Sequence, residues 1–176
     1  MNDDIHDLSA LCPPPDEPIP LNASTRSHPE VAIPPDHQAL NRLYGVGCFD
    51  EFLWIYGCGA ANRNLDIGER SREMQNILRG KEVADLRAHL EPYGVGPEDL
   101  VQWGTTDNGD ALMWIPAGDP EQWDSILISA GQLFFATSSK SSAGVLLDLL
   151  TGTLRINFFP EDFPSGTPEF SENPYA

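Results

Sequence analysis

The sequence predicts an α+β fold with a single, mostly antiparallel sheet and flanking helices. Three kinds of observation predict this fold. Apolar residues recur at helical spacing in three segments, turn signals separate short apolar strands, and some strands are apolar on both faces. A chain of 176 residues has the usual size of one domain, and it is long enough to bury a core without disulfides or metals.

The first helix of the domain is predicted to begin near Pro35. Proline suits the first turn of a helix, and Asp36 favours the positive end of the helix dipole. Gly45 stands where a left-handed residue would end this helix. A strand is predicted next, from Cys48 to Tyr56, and its two apolar faces indicate a central place in the sheet.

Two further helical patterns follow in the chain. Apolar residues keep helical spacing from residue 69 to residue 90, and Gly80 is predicted to mark a bend or a break between two sets of them. The second pattern contains the apolar stripe of Val145 and Leu149, and Gly152 is predicted to end this last helix.

Turn signals between the helical patterns predict two β-hairpins. Asp107 to Asp110 contains an Asn-Gly pair between apolar strands, and Ala130-Gly131 separates the next two strands. An aromatic–glycine pair precedes two of the apolar strands. The tryptophans of those strands, Trp54 and Trp114, are predicted to fill the core beneath the helices.

The distribution of proline divides the chain into three regions. Eight of the 16 prolines lie between Leu11 and Pro35, so residues 1–32 are predicted to form an extended arm with a short helical turn near Ile5 to Leu11. Residues 33–159 form the predicted α+β domain. Residues 160–176 contain four prolines and are predicted to be an irregular tail.

The charge balance limits the classes of partner. The chain has 27 acidic and 10 basic residues, so its net charge is 10 − 27 = −17. This balance argues against binding nucleic acid or an anionic membrane surface, and it fits a basic protein partner. The other explanation is that the negative charge serves only to keep the protein soluble. The N-terminus lacks the apolar run of a signal peptide, so the predicted location is the cytoplasm.

The motifs of common catalytic and metal sites are not found in the sequence. Three cysteines without a Cys-x-x-Cys pair predict neither a disulfide framework nor a zinc site. Neither of the two lysines, Lys81 and Lys140, follows a phosphate-binding glycine loop. Asp107 to Asp110 lacks the rest of a calcium loop. The motifs therefore predict no cofactor and no metal.

The second half of the chain is the more acidic half. Residues 91–176 hold 13 acids and two bases, a net charge of 2 − 13 = −11. The acids are densest between residues 107 and 124, and the aromatic residue Trp123 lies among them in the sequence. An acidic face of this kind fits the basic, phosphate-binding surface of a nuclease. An ordinary solvated face is the alternative interpretation.

The ordered set of motifs resembles the SUKH superfamily (Smi/Knr-like), which includes bacterial immunity proteins and a fungal regulator of cell-wall synthesis. The resemblance covers most of residues 33–159, and residues 1–32 lie outside it. Its segments are Ile33 to Asp36, Leu43 to Gly47, Phe49 to Ile55, Trp103 to Asp110, Leu112 to Trp114, Gly118 to Trp123 and Val145 to Gly152.

This resemblance implies a non-catalytic immunity protein that binds and neutralises a cognate toxin, expected to be a basic nuclease. An intracellular scaffold that docks a partner through residues 1–32 is the alternative, and an enzyme with an unrecognised site is the third. The sequence leaves the oligomeric state open. The predicted partner-binding residues are Asp107, Asp110, Asp119, Glu121, Trp123 and Asp124.

Overall fold

One antiparallel sheet with helices on both faces forms the protein in the computed structural model, which describes residues 3–22 and 31–172. Within these ranges there are seven strands and five α-helices, which confirms the predicted fold class. The strands are β1 Gly47–Phe49, β2 Leu53–Ile55, β3 Val101–Thr106, β4 Ala111–Ile115, β5 Asp124–Ile128, β6 Phe135–Ser138 and β7 Phe170–Glu172. The helices are α1 Asp3–Leu11, α2 Pro35–Tyr44, α3 Ile67–Arg79, α4 Ala84–Leu90 and α5 Ser142–Thr151.

The sheet is a layer between two groups of helices. Its strand order is β6-β5-β4-β3-β2-β1-β7. Alternate residues of β4 show why its sequence is apolar throughout. Leu112 and Trp114 pack in the cluster that includes residues of α1, α2 and α5. Met113 and Ile115 pack in the cluster that includes α3 and α4. The period of two along a strand therefore supplies a core on each face.

The predicted ends of two helices are confirmed. Pro35 lies in the first turn of α2, and Gly45 caps its other end with φ of 72°. For α5, the Ser141 hydroxyl accepts a hydrogen bond from the Gly144 backbone N–H at 3.4 Å, and Gly152 ends the helix with φ of 74°. The break between α3 and α4 includes Gly80, as the sequence indicates.

The prediction of one strand from Cys48 to Tyr56 is wrong. The segment folds into two short strands, β1 and β2, which pair with each other. Asp50 and Glu51 adopt left-handed backbone angles, with φ of 53° and 55°, and so reverse the chain between the strands. Asp50 is a turn-forming residue type, but the apolar residues before and after Asp50-Glu51 match one continuous strand and so hide the turn.

Of the two tryptophans predicted to fill the core, only Trp114 does so. Trp114 is buried, as is Trp103 at the start of the same hairpin. Trp54 is half-buried and lines a surface groove. Its strand lies against Gly104, where a Cβ atom would come within 2.5 Å of the Trp54 carbonyl oxygen. Glycine at position 104 thus permits the close approach of β2 to β3.

The two terminal regions contribute more to the fold than an extended arm and an irregular tail would. Helix α1 packs against α5, and it buries Ile5 and Leu8. The Tyr44 hydroxyl donates to the Cys12 carbonyl at 2.7 Å. In the C-terminal region, β7 pairs with β1 and extends the sheet. Residues 1–2, 23–30 and 173–176 of the predicted arm and tail lie outside the described residues.

A buried imidazole connects three elements of the core. His37 of α2 donates from Nε2 to the Tyr56 carbonyl at 2.8 Å, because a carbonyl oxygen only accepts. Its Nδ1 then accepts from the Ser142 hydroxyl of α5 at 2.9 Å. The ring also meets Trp114 edge-on, with 4.9 Å between centroids. His37 is therefore a structural residue with both nitrogens paired.

Substitution of Leu8 by alanine is expected to lower the free energy of unfolding by about 2–5 kcal/mol, because it leaves a cavity beneath α1. Urea denaturation monitored by circular dichroism measures the change. The exposed neighbour His6 provides the control, since His6→Ala is expected to change stability by about 0.5 kcal/mol or less. Equal stabilities of the two variants would show that α1 contributes nothing to the core.

The protonation of His37 is expected to limit stability in acid. Burial lowers the pKa of His37 from 6.5 to about 4. The unfolded chain therefore binds a proton at His37 more readily than the folded protein does. The stability that neutral His37 contributes is fully present above pH 6.5 and is lost as the pH falls towards 4. The loss amounts to at most roughly 3 kcal/mol. A nitrogen NMR titration in which the ring of His37 protonates near pH 6.5 would contradict this assignment.

Candidate partner-binding surface

Three β-turns lie at the same end of the sheet. They join β1 to β2, β3 to β4 and β5 to β6. The register aligns them, because Leu53 pairs with Thr106 and Ala111 pairs with Ile128 at the ends of their strands. We call this surface the hairpin end, and it comprises residues 50–51, 107–110 and 130–134.

Hydrogen bonds connect the three turns into one surface. The Asp107 backbone N–H donates to the Phe52 carbonyl at 2.9 Å, and the Trp54 indole N–H donates to the Asp107 carboxylate at 3.1 Å. On the other side, the Ala130 backbone N–H donates to the Asp110 carboxylate at 3.0 Å. The turns therefore hold fixed positions relative to one another.

The predicted partner-binding residues divide between two ends of the sheet. Asp107 and Asp110 lie at the hairpin end, before β4. Asp119, Glu121 and the following residues Trp123 and Asp124 come after β4, at what we call the opposite end, because Asp124 pairs with Ile115. The five residues of β4 separate the two groups by roughly 17 Å, at about 3.4 Å per residue. The six residues thus form two surfaces.

Two of the predicted contact residues are buried and stabilise the turns. Asp110 is 3% exposed, and its carboxylate accepts hydrogen bonds from the Thr106 hydroxyl at 2.6 Å and from the Ala130 N–H. Trp123 is 9% exposed, and its indole N–H donates to the Gly118 carbonyl at 3.0 Å. The expectation that Trp123 anchors a partner is corrected by this burial, since its ring packs beside Trp114.

The other predicted acids differ in exposure. Asp107, Asp119 and Glu121 are exposed. Asp124 is half-buried and accepts a hydrogen bond from the Tyr93 hydroxyl at 2.7 Å. This bond raises the pKa of Tyr93, because it stabilises the protonated phenol. Asp124 therefore has a structural role in holding the segment after α4 against the sheet.

The structure adds two acids that the sequence analysis did not select. Asp50 and Glu51 lie in the β1–β2 turn, next to the turn of Asp107. Their charges act together on one buried group. Burial raises the pKa of the Cys48 thiol to about 12, and the negative charges of Asp107, Glu51 and Asp50 add to this effect. The signal for these acids was hidden, because the sequence predicted the interior of a strand at this position.

Asp50 has a second role at the hairpin end. Its carboxylate accepts hydrogen bonds from the backbone N–H of Ser165 at 2.7 Å and from the Ser165 hydroxyl. Its own N–H donates to the Glu169 carbonyl at 2.7 Å. The exposed charges of this surface are therefore chiefly those of Glu51 and Asp107, with Asp50 half-buried behind them.

Several basic residues pair with acids. Arg70 pairs with Glu73, and Arg87 pairs with Glu98 at 3.3 Å. Lys140 pairs with Asp148 of α5 at 2.8 Å. At the hairpin end, the acids lie with one nearby lysine, Lys81, whose ammonium donates to the Gln132 side chain.

Two concave sites adjoin the predicted residues. A cavity of about 330 Å³ lies near the opposite end, and its lining includes Asp36, Glu121 and Trp123. Burial raises the pKa of Asp36. A groove of about 410 Å³ lies beside Asp107 and includes Trp54 in its lining.

The cysteines do not behave as reactive thiols. Burial raises the pKa of Cys12 to about 11, so its thiol and that of Cys48 stay protonated at neutral pH. All three cysteines are free. Among residues 3–22 and 31–172, no group of three or more metal-binding side chains is brought together. The hairpin end holds two of the six predicted residues, Asp107 and Asp110, together with the acids Asp50 and Glu51 that the structure adds.

Two aspartate substitutions are expected to distinguish a structural residue of the hairpin end from an exposed one. Asp110→Ala should lower the free energy of unfolding by about 1–3 kcal/mol, because it leaves the hydroxyl of the buried Thr106 without its acceptor. Asp107→Ala, at an exposed position of the same turn, should cost at most about 1 kcal/mol. Thermal and urea unfolding measure both. A larger loss for Asp107→Ala would reverse the assignment.

Comparison with known proteins adds no further constraint. No family model, curated protein or solved structure matches the chain. Within the described ranges, every helix is too short or too polar to cross a membrane. The candidate function therefore depends on the geometry and charge of the surface and on the motifs of the sequence.

Proposed function

We propose that this chain is a cytoplasmic, non-catalytic immunity protein of the SUKH type, which binds and neutralises a basic cognate toxin domain. The hairpin end is the proposed contact surface. The observation that carries the proposal is the convergence of Asp50, Glu51 and Asp107 at one end of the sheet, on a chain with a net charge of −17. The order of motifs similar to the SUKH superfamily supports it.

The proposed mechanism is steric and electrostatic. A nuclease is the expected toxin, because the surface that binds its phosphate substrate is basic. Acidic residues on this protein would steer the encounter with that surface and raise the association rate. Once bound, the hairpin end would cover the active site, and the substrate would be excluded. No bond is made or broken in this mechanism.

The hairpin end fits this role better than the opposite end. Its turns are joined by hydrogen bonds that involve Phe52, Trp54 and Asp110, so binding would cost little ordering of the backbone. At the opposite end, Asp124 and Trp123 are engaged inside the fold, and Asp119 and Glu121 remain. These two exposed acids lie outside the proposed contact surface, and they supply a matched control.

Charge reversal at the hairpin end is expected to abolish protection. In cells that express the toxin encoded beside this chain, the double variant Glu51→Lys, Asp107→Lys should fail to restore growth. The purified variant should bind the toxin at least roughly tenfold more weakly, mainly through slower association. The wild-type association rate should fall as salt is added, because salt screens the attraction.

The control carries the same change of charge at the opposite end. The double variant Asp119→Lys, Glu121→Lys also changes the net charge from −17 to −17 + 4 = −13. It should protect cells as well as the wild type does. Loss of protection in this variant alone would move the contact surface to the opposite end. Toxin killing that the wild type does not slow would refute the immunity function for that toxin.

A further inference from the structure

Large apolar side chains are exposed at the β5–β6 turn, which we call the apolar corner. Among the described residues, three large apolar side chains are exposed: Leu133 at 77%, Phe134 at 64% and Ile77 at 43%. Leu133 and Phe134 are consecutive in the β5–β6 turn, whereas Ile77 lies on α3, which ends at Arg79. The turn contacts the segment after α3, where the Lys81 ammonium donates to the Gln132 side chain.

The β5–β6 turn holds these side chains in a fixed arrangement. The Ser129 backbone N–H donates to the Phe134 carbonyl at 2.9 Å, and the Phe134 N–H donates to the Ser129 hydroxyl at 3.1 Å. Between them, Gln132 adopts a left-handed backbone with φ of 56°. A non-glycine residue is strained in this conformation. The turn therefore directs Leu133 and Phe134 outward with a backbone that its own hydrogen bonds stabilise.

These apolar side chains add little to the stability of the fold. Neither Leu133 nor Phe134 packs in one of the two hydrophobic clusters, and the same holds for Ile77. Adjacent exposed apolar residues reduce solubility, and such patches are typical of sites that contact another molecule. Core packing does not explain why positions 133 and 134 are apolar, whereas contact with a binding partner would.

The apolar corner is continuous with the acidic turns. Asp110 accepts from the Ala130 N–H and so links the β3–β4 turn to the β5–β6 turn. A Cβ atom on Gly109 would lie 3.8 Å from the Ala130 side chain, so the two turns are in near contact. Apolar residues beside a charged border are the usual composition of a protein–protein interface.

We propose that Leu133 and Phe134 are the apolar anchor of the contact surface, and that they insert into an apolar pocket of a basic protein whose border carries lysine or arginine. The inference rests on the proposed immunity function and names the residues that hold the partner. Charge complementarity selects this occupant, since the exposed acids Glu51 and Asp107 at the same end of the sheet outnumber Lys81, which contacts Gln132 of the turn. A second copy of the chain would bring two net charges of −17 together.

The anchor and the acids should act on different steps of binding. Exposed charges chiefly change the association rate and its dependence on salt. Buried apolar contacts chiefly change the dissociation rate. Aromatic residues at the centre of an interface are often those whose truncation weakens binding most. The double variant Leu133→Ser, Phe134→Ser should therefore bind roughly thirtyfold more weakly, through faster dissociation at every salt concentration.

The test uses the full chain and the toxin domain encoded beside it, with surface plasmon resonance at two salt concentrations. The matched control, Ala84→Ser with Ala88→Ser, makes two exposed apolar positions of α4 polar and should bind like the wild type. Thermal unfolding of each variant verifies the fold, which substitution of exposed side chains should leave intact.

Each outcome decides the inference. Faster dissociation of the turn variant alone supports it. If the wild type and the turn variant bind the toxin equally well, Leu133 and Phe134 are not the anchor, and the proposed immunity function is unaffected. A wild type that does not bind the toxin refutes both. Sedimentation completes the test by measuring the oligomeric state of both proteins. If the wild type is a dimer and the turn variant is a monomer, the apolar corner is an interface with a second copy, and the proposed anchor is overturned.

Discussion

The hydrogen bonds of His37 are the interaction on which the rest of the structure depends. Its ring connects α2 to the residue that follows β2 and to the start of α5. The Tyr56 carbonyl also accepts from the Asn41 side chain at 3.1 Å, so two residues of α2 hold the same point of the chain. Because the ring is buried and neutral, both nitrogens must be paired, and this requirement fixes the helix layer over Trp114.

The position of the candidate surface follows from the antiparallel order of the strands. Each hairpin returns the chain to the same end of the sheet, so turns that are far apart in sequence become neighbours. Asp50 and Asp107 are 57 positions apart, yet both act on the Cys48 thiol. The same geometry places Leu133 beside the acidic turns. Charge and apolar surface thus meet because of the topology of the sheet.

Residues of similar type have different roles in this arrangement. The Asp110 carboxylate is buried and joins two turns by hydrogen bonds. The carboxylate of Asp107, three residues earlier, stays at the surface. Trp123 is part of the interior, whereas Phe134 is outside it. A buried carboxylate with two hydrogen-bond donors makes the turns rigid, and rigid turns reduce the entropy lost when exposed neighbours bind. Structural and binding residues are therefore coupled at this end of the sheet.

Local patterns by themselves determined the fold class, the ends of α2 and α5, the break at Gly80 and both later hairpins, because caps, helical spacing and Asn-Gly turns act over a few residues. Tertiary structure alone decided the β1–β2 turn, the strand at Phe170–Glu172 and the packing of α1, because each depends on partners distant in the chain. It also separated the predicted acids by the length of β4 and buried Asp110 and Trp123. Composition specifies how much charge and apolar surface the chain has, and only the sheet specifies which residues share a face.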